Sequence, residues 1–152
     1  MPPTTPGYDP GMTDITTIAS VQIAAPPQRV WEALTTPAEI KQWFFGVETQ
    51  TDWRVGSRLV HRGEYQGKPY EDSGEIIQID PPHLLVHTHW SPMSGLPDRP
   101  EHYQRVTWTL EGTDGTTTLE VAEDNLPSED AKAISDKSWP QALQNLRELL
   151  EG

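Results

Sequence analysis

The chain has 152 residues, no cysteine, and 23 acidic against 11 basic side chains, which leaves a formal net charge of −12. Without thiols, disulfide scaffolds, thiolate zinc sites and cysteine nucleophiles are excluded. The excess of acids argues against binding to nucleic-acid phosphates, because such surfaces are built from Lys and Arg. No apolar run reaches the roughly 18 residues of a membrane helix. The length favours one compact domain, because two independent cores would each be marginal, and we expect the protein in the cytoplasm.

The first residues differ in composition from the rest. Residues 1–13 contain four prolines and two glycines, but neither a cationic start nor an apolar stretch. This composition fits neither a signal peptide nor a helix and predicts a flexible tail. Residues 14–152 are predicted to form a single domain. Its first strand spans about ten residues, and its buried face consists of Ile15, Thr17, Ala19, Val21 and Ile23.

Two short helices are predicted directly after this strand. Pro26 and Pro27 end the strand and open a helix, since a proline in the first turn loses no needed N–H. The second helix begins with Thr36-Pro37-Ala38-Glu39, a capping box in which the Thr36 and Glu39 side chains bond to free backbone N–H groups. Both helices carry an apolar stripe, formed by Val30, Trp31 and Leu34 in the first and by Ile40, Trp43 and Phe44 in the second.

Turn signals then divide the middle of the chain into strand-like runs. These runs cover about residues 57–65, 70–79, 83–90, 102–111 and 116–123. Their short connections predict an antiparallel meander. Alternation of apolar and polar residues gives the strands one dry face, so the sheet requires a cover.

A long helix near the C-terminus is predicted to supply that cover. Ser128 is its expected N-cap, and its apolar face includes Ala131, Ile134, Ala142 and Leu146. About 24 residues give a length of roughly 36 Å, which crosses a small domain. Pro140 is expected to bend or break this helix near Trp139.

Several short segments of the chain follow one another in the order typical of a known superfamily. The pattern of strand, two short helices, meander and long helix resembles the α+β helix-grip fold of START-like (SRPBCC) proteins, a curved antiparallel sheet wrapped around a long C-terminal helix. The segments that match one branch of this superfamily are Ile23-Ala24-Ala25-Pro26, Val30-Trp31-Glu32-Ala33-Leu34-Thr35, Ile40-Lys41-Gln42-Trp43-Phe44, Gly56, Gly74-Glu75-Ile76, Ile79-Asp80-Pro81-Pro82, Leu85 with Thr88, and Ser138-Trp139-Pro140 with Leu143 and Leu146. On these segments the sequence resembles the Aha-type branch, named for the C-terminal domain of the activator of the heat-shock protein 90 ATPase.

The resemblance implies a cavity between the sheet and the long helix. We expect it to bind a small hydrophobic or amphipathic molecule, without a metal or an organic cofactor. Ordinary core packing is the alternative role for its large aromatic residues. His61 shares a predicted face with Leu59 and Tyr65, so it would point inward, and His61 or Tyr65 would orient the ligand. The candidate wall residues are Trp43, Leu59, His61, Tyr65, Trp90, Trp108, Trp139 and Leu143.

His87 and His89 raise the question of a metal site. Two histidines at i and i+2 lie on one face of a strand, and His102 could join them from a later strand. If Val86 and Thr88 face the core, however, both histidines face water. We therefore predict that they are solvated and that no metal is bound.

Two other functions stay open at this point. The sequence contains no nucleophile elbow, phosphate loop or dinucleotide fingerprint, so no catalytic residue is assigned. Related cyclases shape a substrate and offer a group for proton transfer, so a cyclase- or hydrolase-like enzyme with His61 as acid or base is an alternative. Tyr65, Tyr70 or Arg58 would act with His61 in such an enzyme. The other alternative function, by analogy with the heat-shock protein 90 activator only, is a co-chaperone-like module that binds a protein partner. The long segment 91–101 is predicted to close the mouth of the cavity.

Overall fold

The computed structural model describes residues 13–152, so all of the predicted tail except Thr13 lies outside the described residues. Seven strands and three α-helices form the described chain. The strands are β1 (Thr17–Ile23), β2 (Glu48–Gln50), β3 (Arg58–Tyr65), β4 (Lys68–Asp80), β5 (Leu84–His89), β6 (Gln104–Gly112) and β7 (Thr117–Asp124). The helices are α1 (Pro27–Thr35), α2 (Pro37–Trp43) and α3 (Glu129–Glu151).

The seven strands form one sheet in the order β1-β7-β6-β5-β4-β3-β2, and every neighbouring pair is antiparallel. Helices α1 and α2 carry the chain from β1 at one edge to β2 at the other. The long helix α3 packs against β1 and α2. This arrangement confirms the predicted α+β helix-grip fold.

The core lies between the sheet and the helices. Alternating residues of β6 and β7 point into it, and the stripes of α1 and α2 face it as predicted. Each large aliphatic side chain buried there contributes roughly 1.5–3 kcal/mol to stability. Fully buried members include Ile23, Ile76, Leu119, Leu143 and Leu146.

Local differences from the sequence predictions concern ends and caps. The first strand has seven residues rather than about ten, and the short edge strand β2 was not predicted. Thr36 precedes α2 but makes no capping hydrogen bond. The Glu39 carboxylate instead accepts from the Arg29 guanidinium at 2.5 Å, because α1 brings this cation close to it. The predicted capping box is therefore wrong.

Helix α3 begins as predicted, since the Ser128 hydroxyl accepts from the N–H of Ala131 at 3.1 Å. It continues without a break through Pro140. Pro140 and Asp136 are both exposed, so water can bind the carbonyl that loses its helical partner. Ile134 is 67% exposed rather than on the buried face. Within residues 13–152, no helix combines the length and the apolar character that crossing a bilayer requires.

Candidate ligand cavity

A cavity of about 160 Å³ lies between the inner face of the sheet and the helices. Residues of α1, α2 and α3 line one side, and residues of β2 to β7 line the other. Five of the eight predicted wall residues line it: Trp43, Leu59, His61, Trp108 and Trp139.

The other three predicted wall residues lie elsewhere. Tyr65 is 59% exposed, because it ends β3 at the hairpin, beyond the part of the sheet that the helices cover. Trp90 stacks on Tyr103 at a ring distance of 6.3 Å and donates its N–H to the Leu96 carbonyl, outside the cavity. Leu143 is 1% exposed and fills the core without reaching the cavity.

Six apolar aromatic residues line the cavity, among them Phe45 and Trp53, and the other four pack on one another. Trp108 packs edge-to-face on Trp43 and on Trp139, with ring centroids 5.9 and 5.4 Å apart. Phe44 is parallel to Trp139 at 5.9 Å. Three indole N–H groups donate within the protein, to the Ala33 carbonyl from Trp43, to His87 from Trp108 and to Glu123 from Trp139. These three indoles are thus fixed in place and offer the cavity mainly apolar surface.

His87 lies inside the protein, so its predicted exposure to water is wrong. It is 7% exposed, and its Nε2 accepts from the Trp108 N–H at 3.2 Å. The proton must therefore be on Nδ1, which donates to the Thr88 carbonyl at 3.1 Å. Burial lowers the pKa of His87 to about 4, which keeps the imidazole neutral at pH 7.

His89 also faces the cavity rather than open solvent. Its Nε2 lies 2.9 Å from Asp72 Oδ2, and its side chain is 27% exposed. Burial opposes the charged form, but the hydrogen bond to Asp72 and the charges of Asp72 and Glu123 outweigh it and raise the pKa of His89 above its ordinary value. His89 and Asp72 are consequently a charge-assisted pair.

His61 points inward, as predicted, and lies near the other two histidines. Its ring centroid is 6.5 Å from that of His87 and 6.4 Å from that of His89. Nδ1 shares a hydrogen bond of 3.0 Å with the Thr49 hydroxyl. Burial, followed by the charges of the two neighbouring imidazoles, lowers the pKa of His61 to about 3. At neutral pH it is an uncharged hydrogen-bonding group.

The sequence prediction missed two carboxylates that line the cavity, and it named Tyr70 only as a partner of His61 in an enzyme, not as a wall residue. Glu123 continues the inward alternation of β7 after Val121, so this pattern could have revealed it. Asp72 and Tyr70 share one face of β4, and Tyr70 crosses over Gly63 of β3, where any side chain would collide with its ring. Locating these two residues requires the pairing of β3 with β4, which the local sequence pattern does not show.

The segment 91–101 does not line the cavity, which contradicts its predicted role as a closing loop. It contains one short 3-10 helix, Pro92–Ser94, and the start of another, Pro100–His102. His102 bonds to the Pro97 carbonyl at 2.8 Å and does not join the other histidines. Within the described part of the chain, no group of three His, Asp or Glu side chains has a geometry that could hold a metal ion.

Solved structures with the same fold support this architecture. The solution structure of ChR145 from Cytophaga hutchinsonii is 38% identical, with a TM-score of 0.77 over 91% of this chain and 94% of that chain. CalU16 from Micromonospora echinospora is 27% identical, with a TM-score of 0.69 over 86% of this chain and 73% of that one. The Aha1 dimer from Colwellia psychrerythraea is 20% identical, with a TM-score of 0.71 over 90% and 96% of the two chains, and shows likeness of fold alone.

The family comparison covers most of the chain. No curated protein matches the sequence. A family profile described as "Activator of Hsp90 ATPase homolog 1-like protein" matches residues 24–151, which include both short helices, six of the seven strands and α3. The chain therefore belongs to the family of activator of Hsp90 ATPase homolog 1-like proteins.

Proposed function

We propose that this protein binds a small hydrophobic or amphipathic molecule in the cavity between the sheet and α3. The observation that carries the proposal is the cavity itself, about 160 Å³ with an aromatic wall and a cluster of polar side chains at one end. An engineered apolar cavity of about 150 Å³ in another protein binds benzene or xenon. A ligand with one aromatic ring and a short polar arm therefore fits the space.

Burial of apolar surface would supply most of the binding free energy, at roughly 25 cal/mol per Å². The polar end would set the orientation, with His61 as the neutral group that meets the arm of the ligand. Tyr65 has no part in it, because it lies on the surface.

A variant that fills the cavity tests the proposal. We expect gently purified protein to retain a small molecule in native mass spectrometry, or to gain thermal stability from a library of single-ring compounds. Leu59→Trp places an indole in the cavity and should abolish both effects. The matched control is Leu84→Trp, which changes a half-buried leucine outside the cavity and should preserve them. Failure of wild-type protein to bind any compound, or equal binding by Leu59→Trp, would refute the proposal.

An acid–base enzyme is the second candidate, supported by the His89–Asp72 pair. A carboxylate that holds a histidine of raised pKa is a common arrangement for proton transfer near neutral pH. His89 suits this role better than His61, because burial lowers the pKa of His61 to about 3 and so makes it a weak base. Turnover of a bound compound that disappears in His89→Gln, while binding persists, distinguishes an enzyme from a carrier.

The interpretation that the protein binds a chaperone partner is supported by the family alone. The family description names an activator of the Hsp90 ATPase, and no contact described above bears on such a partner. Stimulation of the ATPase of a heat-shock protein 90 homologue is the direct assay for this interpretation.

A further inference from the structure

The polar end of the cavity carries an excess of negative charge. Asp72 and Glu123 are 8% and 6% exposed, and both line the cavity. Neither Lys nor Arg lines it among the described residues. His61 and His87 are neutral at pH 7, so His89 is the one side chain there that can balance a carboxylate. Two carboxylates against one imidazole leave a net negative charge in either protonation state of His89.

The same carboxylates have hydrogen-bonding capacity that the described residues do not use. Asp72 bonds to His89 through Oδ2, while its buried Oδ1 has no partner within residues 13–152. Glu123 accepts from the Trp139 indole through Oε1, while Oε2 makes no hydrogen bond to a described residue. Burial of the Asp72 Oδ1 acceptor without a donor is unfavourable, and a ligand that brings a hydrogen-bond donor to this end would remove part of that cost.

The aromatic wall is compatible with a positive charge as well as with an apolar body. Aromatic faces attract cations, and indole is the strongest partner. Trp139 lies between the two parts of the site, because its ring stacks on Phe44 and its N–H holds Glu123. The overall net charge of −12 also attracts cations from solution.

We infer, building on the proposed function, that the ligand is an amphipathic amine. Its hydrocarbon body packs among Trp43, Trp108 and Trp139, and its protonated amino group lies at the end formed by Asp72 and Glu123. The ammonium group offers three donors, which suit the two unused carboxylate oxygens. A carboxylate of the same size would meet like charges with a single imidazole to offset them, so it is disfavoured.

Four compounds of matched shape test this inference. Wild-type protein is titrated at neutral pH and low salt with phenethylamine, phenethyl alcohol, ethylbenzene and phenylacetate, and chemical shifts of the tryptophan indole N–H groups report binding. We expect phenethylamine to bind at least about tenfold more tightly than ethylbenzene, because its ammonium group can donate hydrogen bonds to the carboxylates and ethylbenzene cannot. Phenylacetate should bind more weakly than ethylbenzene.

The variant Glu123→Gln separates charge from shape. Its amide oxygen can still accept from Trp139, so the wall is kept while one charge is removed. We expect this variant to lose most of the preference for phenethylamine and to bind ethylbenzene within about twofold of wild type. Glu120→Gln, at an exposed position of the same strand, is the control with the same change in net charge and should behave as wild type.

The outcomes distinguish the two proposals. Binding of ethylbenzene without any preference for phenethylamine would overturn the amine inference and leave the proposed function standing. A preference that survives in both Glu123→Gln and Asp72→Asn would likewise overturn it. Absence of binding by all four compounds would overturn the inference together with ligand binding by this cavity.

Discussion

Replacement of Trp108 by alanine is expected to lower the free energy of unfolding by about 3–5 kcal/mol. Trp108 is 4% exposed and packs edge-to-face on two further indoles, Trp43 and Trp139. Its loss opens a large hole at the centre of the wall. It also leaves His87 Nε2 without its donor in a buried place. Equilibrium unfolding in urea measures the change.

The variant Trp108→Phe is the matched control, because it retains a ring and loses the N–H donor. We expect a cost of about 1–3 kcal/mol, which includes the unpaired His87 nitrogen. A loss below about 1 kcal/mol for Trp108→Ala, or the same loss for both variants, would contradict the packing described for this wall.

Acidification from pH 7 to pH 5 is expected to destabilise the fold by about 2 kcal/mol through His61 alone. The ordinary pKa of 6.5 applies in the unfolded chain, while burial and then the neighbouring imidazoles lower the pKa of His61 to about 3 in the folded protein. The unfolded chain therefore takes up a proton that the folded chain excludes. Stability present above pH 6.5 is lost as the pH falls toward 3.

His61→Gln isolates this contribution from the rest of the protein. His89 has a raised pKa and acts in the opposite direction, so the whole protein shows a sum of effects. Urea unfolding at the two pH values should show that His61→Gln loses about 2 kcal/mol less than wild type. His83→Gln, at an exposed position, is the control. An identical pH dependence in wild type and His61→Gln would refute the neutral, buried state of His61.

The fold was predictable because its signals are local. Turn residues at short intervals fixed the number of long strands, and the alternation of Val106, Trp108 and Leu110 fixed their inward faces. The local sequence does not show which face of β5 points inward, because Leu84, Leu85 and Val86 are all apolar. Either alternate set of its side chains could therefore face the core. The register decides it, since Leu85 pairs with Trp108 and places His87 on the inner face.

The candidate site was only partly predictable for a related reason. Alternation shows which way a strand residue points, and it located Leu59 and His61 correctly. Alternation does not show how far along the strand the helices cover the sheet. For this reason Tyr65, which is exposed, was predicted to line the cavity. The pairing of His89 with Asp72 depends on β4 and β5 lying side by side, at residues 17 positions apart.

A crystal structure under xenon pressure shows whether the space between the sheet and the helices is hollow, because xenon enters apolar cavities of about this size. We expect a bound xenon atom in the space lined by Trp43, Leu85 and Trp108. A space closed by the indole rings, with no xenon bound there, would contradict this expectation.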